Sequence, residues 1–365
     1  MNIVLLANHL NTGGITTYMM TLAQGLIKAG DKVWVISSGG DCEEKIKSMG
    51  VILVHMDIKI KSELHPNLWF SIPSLVSFIR KNKIDIIHGQ TRVTSIMAAV
   101  ASYVTHVPYV MTCHGFFKPR FFRLMFPCWG KSVIAISKPV KEHLECGFNI
   151  DPKRIALIPN GIDGSNFSSV ASTDRRRLRV EKNIIGDPVI GIIARLSAVK
   201  GIDVLIFAMP HIVEQFPKVC LWIVGQGDQE AYLKECVLKC DLADHIKFLP
   251  AVDQSSALLP LFDVFVMPSL QEGLGLSVME AQASLVVVVA SKVGGLIDLI
   301  EDGKTGLLVE PSSHQELAAK IIKVLKDPHL AKAMAVAARE NIQMNFSAER
   351  MVTDTRRCYE KYTRH

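Results

Sequence analysis

Short β-branched runs alternate with helical stretches from one end of this 365-residue chain to the other. That alternation constrains the fold more than any other feature, because strands that alternate with helices pair in parallel and are covered on both faces. In the first half the strands are expected at Ile3–Ala7, Lys32–Ser37, Val51–His55, Ile84–His88, Pro108–Cys113, Ser132–Ile136 and Ile155–Pro159, with helices between, notably Gly14–Ala29 and Val93–Val104. The second half restarts the pattern at Val189–Ala194, Val219–Val224, Ile246–Leu249, Val264–Met267, Leu285–Ala290 and Gly306–Val309. The last helices run from Ser313 onward, and Phe346 to Tyr362 is amphipathic. The polar stretch Asp163 to Asp187, with Arg175, Arg176, Arg177 and Arg179, has linker composition. The expected organisation is a Rossmann-like domain at 1–163, a linker at 164–187, a second Rossmann-like domain at 188–345 and a terminal helix at 346–365.

The length exceeds what one hydrophobic core serves. Charged residues at 21%, with 24 Gly and 16 Pro, exclude a disordered or collagen-like chain. The hydrophobic fraction of 49% is high, and buried parallel strands or a membrane-facing patch would house the excess. The longest stretch without Asp, Glu, Lys or Arg, Val93 to Phe117, is interrupted by Ser, Thr, His106 and Pro108 and reads as a buried helix followed by a strand. The chain enters a strand after Asn2, without the regions of a signal peptide. Eight cysteines include no CxxC pair, which suggests reduced thiols and a cytoplasmic location. Cys236 and Cys240 stand one helical turn apart, a weak metal signal. No nucleic-acid partner is expected.

The residues that carry chemistry follow strands, where doubly wound sheets bind ligands. Glu272-Gly273-Leu274-Gly275-Leu276 to Glu280 follows Val264–Met267: two carboxylates bracket a glycine turn that opens a helix, whose free N–H groups make an anion site. Glu280 could take a ribose diol; the plainer reading is a helix acid and a solvated Glu. Arg195 and Lys200 follow Val189–Ala194 and could neutralise a diphosphate, or form an ordinary surface pair. Gly13 and Gly14 follow the first strand and allow close backbone approach, but they form no GxGxxG fingerprint. Gly225 and Gly227, after Val219–Val224, come closer to that fingerprint but lack its third glycine, and a lone GxG at a strand end is mostly a turn. His114, in Cys113-His114-Gly115, sits at a strand tip where it can meet a sugar hydroxyl or make a structural bond.

In this order the motifs resemble the retaining nucleotide-sugar glycosyltransferases of family 4, with the GT-B fold. The resemblance covers nearly the whole chain, from the Gly13–Gly14 loop through His114-Gly115, Pro159–Asp163, Arg195 with Lys200, Val224–Gly227 with its candidate donor-site residues Gly225 and Gly227, and Glu272 with Glu280, to the 294–309 run. It implies two Rossmann-like domains facing a central cleft, with the terminal helix crossing back to the first. It implies that Glu280 binds the nucleotide ribose and that Arg195 and Lys200 hold the diphosphate. Glu272 and the amides of Gly273, Leu274, Gly275 and Leu276 would hold the donor sugar and distal phosphate. Gly14 would approach the diphosphate, and His114 would touch the transferred sugar. It implies retention without a covalent Glu272 intermediate, and the lack of an acidic cluster at a strand end leads to an expectation of no metal and no cofactor. The expected activity is hexosyl transfer from a UDP-sugar, or a GDP-sugar, to an acceptor in cell-surface glycan or glycolipid synthesis. A GT-B epimerase and a non-catalytic nucleotide-sugar-binding subunit are the alternatives.

Phe116 to Trp129 packs six aromatics with Lys118, Arg120 and Arg123 into 14 residues. Residues 1–170 hold 18 Lys and Arg against 11 Asp and Glu, while the remainder is nearly neutral. Lys118, Arg120, Phe121, Phe122 and Arg123 are therefore candidates for docking to an anionic membrane, or for acceptor contact. The alternative is an aromatic core with a solvated rim.

Overall fold

The computed structural model describes residues 1–59, 65–119, 121–167, 177–179, 181, 186–252 and 254–363. The chain forms two compact units, Met1–Gly161 with Ala348–His365, and Ile162–Ser347.

The first unit is built on seven parallel strands: β1 (Asn2–Leu6), β2 (Lys32–Ser37), β3 (Ile52–His55), β4 (Ile86–Gly89), β5 (Tyr109–Cys113), β6 (Ser132–Ala135) and β7 (Ile155–Leu157). Their order is β3-β2-β1-β4-β5-β6-β7. Strand periodicity sends alternate residues to opposite faces. Ile3 and Leu5 join a core with Tyr18, Met19, Leu22 and Leu26 of the helix Gly14–Lys28. Val4 and Leu6 join a second core with the helices Pro66–Lys81 and Arg92–Thr105. The terminal helix Ala348–Thr363 belongs to this unit, since Met351, Val352, Cys358 and Tyr359 complete the first of these cores.

The second unit has six parallel strands: β8 (Val189–Ile193), β9 (Cys220–Val224), β10 (Ile246–Leu249), β11 (Val264–Met267), β12 (Val287–Ser291) and β13 (Leu307–Val309). Their order is β10-β9-β8-β11-β12-β13. The fold class is thus α/β, with two Rossmann-like units.

Two expectations need correction. The strand expected from Leu285 starts at Val287, because Leu285 adopts a left-handed backbone (φ 58°) just past the helix Leu276–Ala283. The stretch read as linker is not all solvated either. Arg179 is buried and donates to the Leu261 carbonyl at 2.9 and 2.6 Å and to Asp263 at 2.8 Å, which anchors it to the second unit. Arg175 and Arg176 lie outside the described residues.

Candidate active site

Strand order reverses between β8 and β11 in the second unit, so the loops after these strands diverge and leave a crevice at their carboxyl ends. Arg195 and Lys200 lie on the first loop and Glu272 on the second. The loops are stitched together: the N–H of Leu270 donates to the Val199 carbonyl at 2.8 Å. Gly201 makes this possible, for its φ is 58° and a Cβ there would strike the Pro268 carbonyl oxygen. Gly294 and Gly295 back the second loop, the N–H of Gly295 donating to the Glu272 carbonyl at 3.0 Å.

Held in this way, Lys200 and Glu272 face each other. The Lys200 ammonium lies 2.5 Å from Glu272 Oε2, and the two side chains are only 20% and 13% exposed. Ser269 donates to the same oxygen at 3.3 Å. Two residues expected to bind different parts of one ligand are therefore partners of each other. Arg195 is exposed.

The helix Leu276–Ala283 opens directly after Glu272, with Gly275 as its cap at φ 102°. The N–H groups from Gly273 to Ser277 meet no backbone acceptor among the described residues. They form the open positive end of a helix. Glu280, further along, is part-buried and accepts from the Ser255 hydroxyl at 2.7 Å. Burial raises its carboxyl pKa, and the Ser255 bond partly offsets the rise.

Gly225 and Gly227 are accounted for by packing within the protein. A Cβ at either would strike the carbonyl oxygen of Ala194 or Leu196, while the Leu196 N–H donates to Gln226 at 3.0 Å. These glycines support the Arg195 loop.

The first unit reverses between β1 and β4. Gly13 and Gly14 are exposed, and Gly13 begins the helix Gly14–Lys28 with no side-chain cap. His114 is part-buried just past β5; its Nε2 lies 2.9 Å from Gln90 Oε1, and Tyr18 meets its ring edge-on at 4.8 Å. Burial lowers its pKa to about 3, so the ring is neutral. Beneath it runs a buried chain that was not anticipated. His88, on β4, is hydrogen-bonded through Nε2 to Thr112 at 2.7 Å and through Nδ1 to the Tyr359 hydroxyl at 2.5 Å. Tyr18 reaches the same Thr112 hydroxyl at 3.2 Å. The signal that could have revealed it is a His and a Gln inside the apolar run Ile86-Ile87-His88-Gly89-Gln90.

The aromatic segment divides. Trp129 is buried, with Phe117 stacked at 6.2 Å and Phe148 edge-on at 5.1 Å. Arg123 lies over Phe117 at 4.8 Å and donates to the Lys118 carbonyl, so it is turned back onto the protein. Lys118 is exposed, as are Leu124, Met125 and Phe126. Arg92 holds the segment down, donating to the carbonyls of Phe126 and Pro127. Arg120 lies outside the described residues, as do the side chains of Phe121 and Phe122. Among the described residues no group of three metal-ligating side chains occurs, Cys236 being part of the second unit's core. No helix among them is long and apolar enough to cross a membrane.

Two doubly wound parallel units, each with polar residues at a switch point, have the architecture of the GT-B class. The chain belongs to glycosyltransferase family 4: residues 12–165 match the family described as Glycosyltransferase Family 4, and residues 174–341 that described as Glycosyl transferases group 1. It is 27% identical to an uncharacterized glycosyltransferase of Methanocaldococcus jannaschii, over 95% of this chain and 94% of that one. It is 33% identical to a GDP-mannose-dependent monoacylated alpha-(1-6)-phosphatidylinositol monomannoside mannosyltransferase of Corynebacterium glutamicum, over 53% of each chain. HepE of Anabaena, solved in complex with UDP-glucose, shares the fold with a TM-score of 0.87 at 22% identity, over 99% of both chains.

Proposed function

We propose that this glycosyltransferase moves a hexose from a nucleotide-diphosphate sugar to an acceptor with retention of anomeric configuration. The observation that carries the reading is the convergence of Arg195, Lys200, Glu272 and the open helix end at Gly273–Ser277 on one switch point, with Glu280 farther along that helix. Cleaving a sugar–phosphate bond builds charge on the departing diphosphate and on an oxocarbenium-like sugar. Arg195 supplies a planar fork and Lys200 a point charge, while the amides of Gly273, Leu274, Gly275 and Leu276 face the distal phosphate. Glu280 takes the ribose hydroxyls. Glu272 accepts from sugar hydroxyls, and its engagement with Lys200 and Ser269 suits that role better than covalent attack. Retention then follows from same-face attack assisted by the leaving phosphate. His114, neutral and held by Gln90, and the Gly13–Gly14 turn are the first unit's candidates for contact with the sugar and the diphosphate.

UDP-sugars are the first choice of donor, as in the HepE complex, and GDP-sugars the second, as the mannosyltransferase relative's name suggests. A screen of UDP-, GDP- and ADP-sugars by thermal shift tests this, followed by NMR of the product anomer. Release of nucleotide diphosphate with an inverted linkage would overturn retention; a changed nucleotide sugar formed without acceptor would make the protein an epimerase. In this reading the cations and amides carry the developing charge with no metal or cofactor, so EDTA leaves turnover unchanged.

The acceptor we place in cell-surface glycan or glycolipid synthesis, with the protein peripheral on the inner face of the membrane. The exposed Leu124, Met125 and Phe126 beside Lys118, in the basic part of the chain, support that placement. Sedimentation with anionic vesicles at low salt tests it: binding lost in a Leu124→Ser/Phe126→Ser variant supports docking, and no binding by the unaltered protein overturns it.

A further inference from the structure

We infer that Glu272 lets the site tell a nucleotide sugar from the bare nucleotide diphosphate, by holding Lys200 until a sugar arrives to replace it. The inference rests on the donor reading above.

Three observations carry it. Lys200 and Glu272 form a short, part-buried ion pair, 2.5 Å apart. The loops that bear them are joined by the Leu270–Val199 backbone bond and by the close approach at Gly201, which holds the two side chains face to face. Finally, Glu272 immediately precedes the free N–H groups of Gly273 to Ser277, so an anion entering that end meets a carboxylate. Among the described residues Glu272 Oε1 takes no hydrogen bond, while Oε2 takes two.

A diphosphate that draws Lys200 toward itself leaves the Glu272 carboxylate half-buried, without its counter-charge and beside new negative charge. Removing one partner of such a pair costs more than the pair was worth. A sugar on the diphosphate changes the balance, because its hydroxyls donate to the carboxylate and replace the ammonium. A bare diphosphate offers no such donors there. The same pair therefore penalises the product: once the sugar has left, Glu272 recovers Lys200 and the diphosphate is released.

The test is calorimetry of UDP and UDP-glucose, and of GDP and GDP-mannose, on the unaltered protein and on Glu272→Gln, which keeps the shape and removes the charge. The bare diphosphate is expected to bind Glu272→Gln about fivefold tighter, the scale of one exposed ion pair, or more. The nucleotide sugar is expected to bind equally or more weakly, so the preference for it narrows. Product inhibition by the diphosphate strengthens in parallel. Equal shifts for both ligands, or a weaker diphosphate, would overturn the inference while leaving the donor reading intact. No binding of any of the four probes to the unaltered protein would remove the donor reading and this inference with it. Should Glu272→Gln fail to fold, Glu272→Ala carries the test, since it too removes the carboxylate and frees Lys200, and the bare diphosphate is again expected to bind tighter.

Discussion

The two units share a strand order up to their sixth strand, yet the chemistry at their reversal points is opposite. In the second unit the crevice holds full charges, Arg195, Lys200 and Glu272, on side chains with some access to water. In the first, His88, Thr112, Tyr18 and Tyr359 are neutral, buried and joined to one another. Charges near a surface can change partners when a charged ligand arrives, at modest cost. A buried neutral network keeps one geometry, because each broken bond leaves a polar atom dry. The same topology thus supplies a site that exchanges partners and a platform that holds a shape.

Acid should separate the two most sharply. Burial lowers the pKa of His88 from 6.5 to about 3. A depressed pKa means that the unfolded chain binds the proton first, so the contribution is whole above pH 6.5 and is lost as pH falls toward 3. Between neutral pH and about 4.5 the cost from His88 alone is on the order of 2–3 kcal/mol, and His114 adds in the same direction. Calorimetric scans across this range are expected to show the transition of the first unit moving down first. A first unit that holds its melting temperature to pH 4.5 would mean these histidines are not buried neutral.

Next in size is loss of charge in the second unit. Arg195→Ala or Lys200→Ala is expected to weaken nucleotide-diphosphate binding by about 1.5–3 kcal/mol, the range for hydrogen bonds to charged groups. Lys200→Ala should cost more, since Glu272 then faces the diphosphate alone. Titration calorimetry with unchanged affinity in both variants would take these residues out of the site.

A third change tests whether the platform is rigid. Tyr359→Phe removes the hydroxyl bonded to His88 and leaves a buried ring nitrogen unpaired, a loss of about 1–3 kcal/mol in the first unit. Chemical denaturation would measure it, and nucleotide affinity should not change. A loss of affinity instead would mean that the network does more than hold the first unit's shape.

The alternation of strands and helices was legible because buried parallel strands are written as continuous apolar runs. It misled at Leu285, where an apolar residue serves a left-handed turn rather than a strand. The charged groups were legible too, since Arg195, Lys200, Glu272 and Glu280 stand in a recognisable order after strands. Their pairing was not. Lys200 and Glu272 are 72 residues apart, and only the β8–β11 adjacency brings them together. Tyr359 and His88 are 271 residues apart, and no local pattern links a terminal helix to the fourth strand. Arg179 defeated composition for the same reason, because its partners Leu261 and Asp263 flank the start of a strand far along the chain.

The smallest effect should also be the one of opposite sign. Glu280, in the second unit, is a carboxyl group whose pKa burial raises. A raised carboxyl pKa means that the folded state prefers the proton. Its contribution is whole below the ordinary carboxylate range and is lost as pH rises through the raised value. In the folded protein burial therefore disfavours the charged carboxylate, with the Ser255 hydroxyl offsetting part of that cost. Glu280→Gln removes the charge while the amide oxygen can still accept from Ser255. We expect the second unit to gain stability at pH 7, as buried charge gives way to a neutral isostere, and the gain to vanish in acid, where the carboxyl is itself protonated. The same variant should lose nucleotide affinity, because a carboxylate accepts charge-assisted bonds from both ribose hydroxyls, whereas a neutral amide accepts from one and only donates to the other. A variant that gains stability and keeps full affinity would show Glu280 to be a buried acid with no part in the site. One that loses both would show that its charge is compensated in the folded protein.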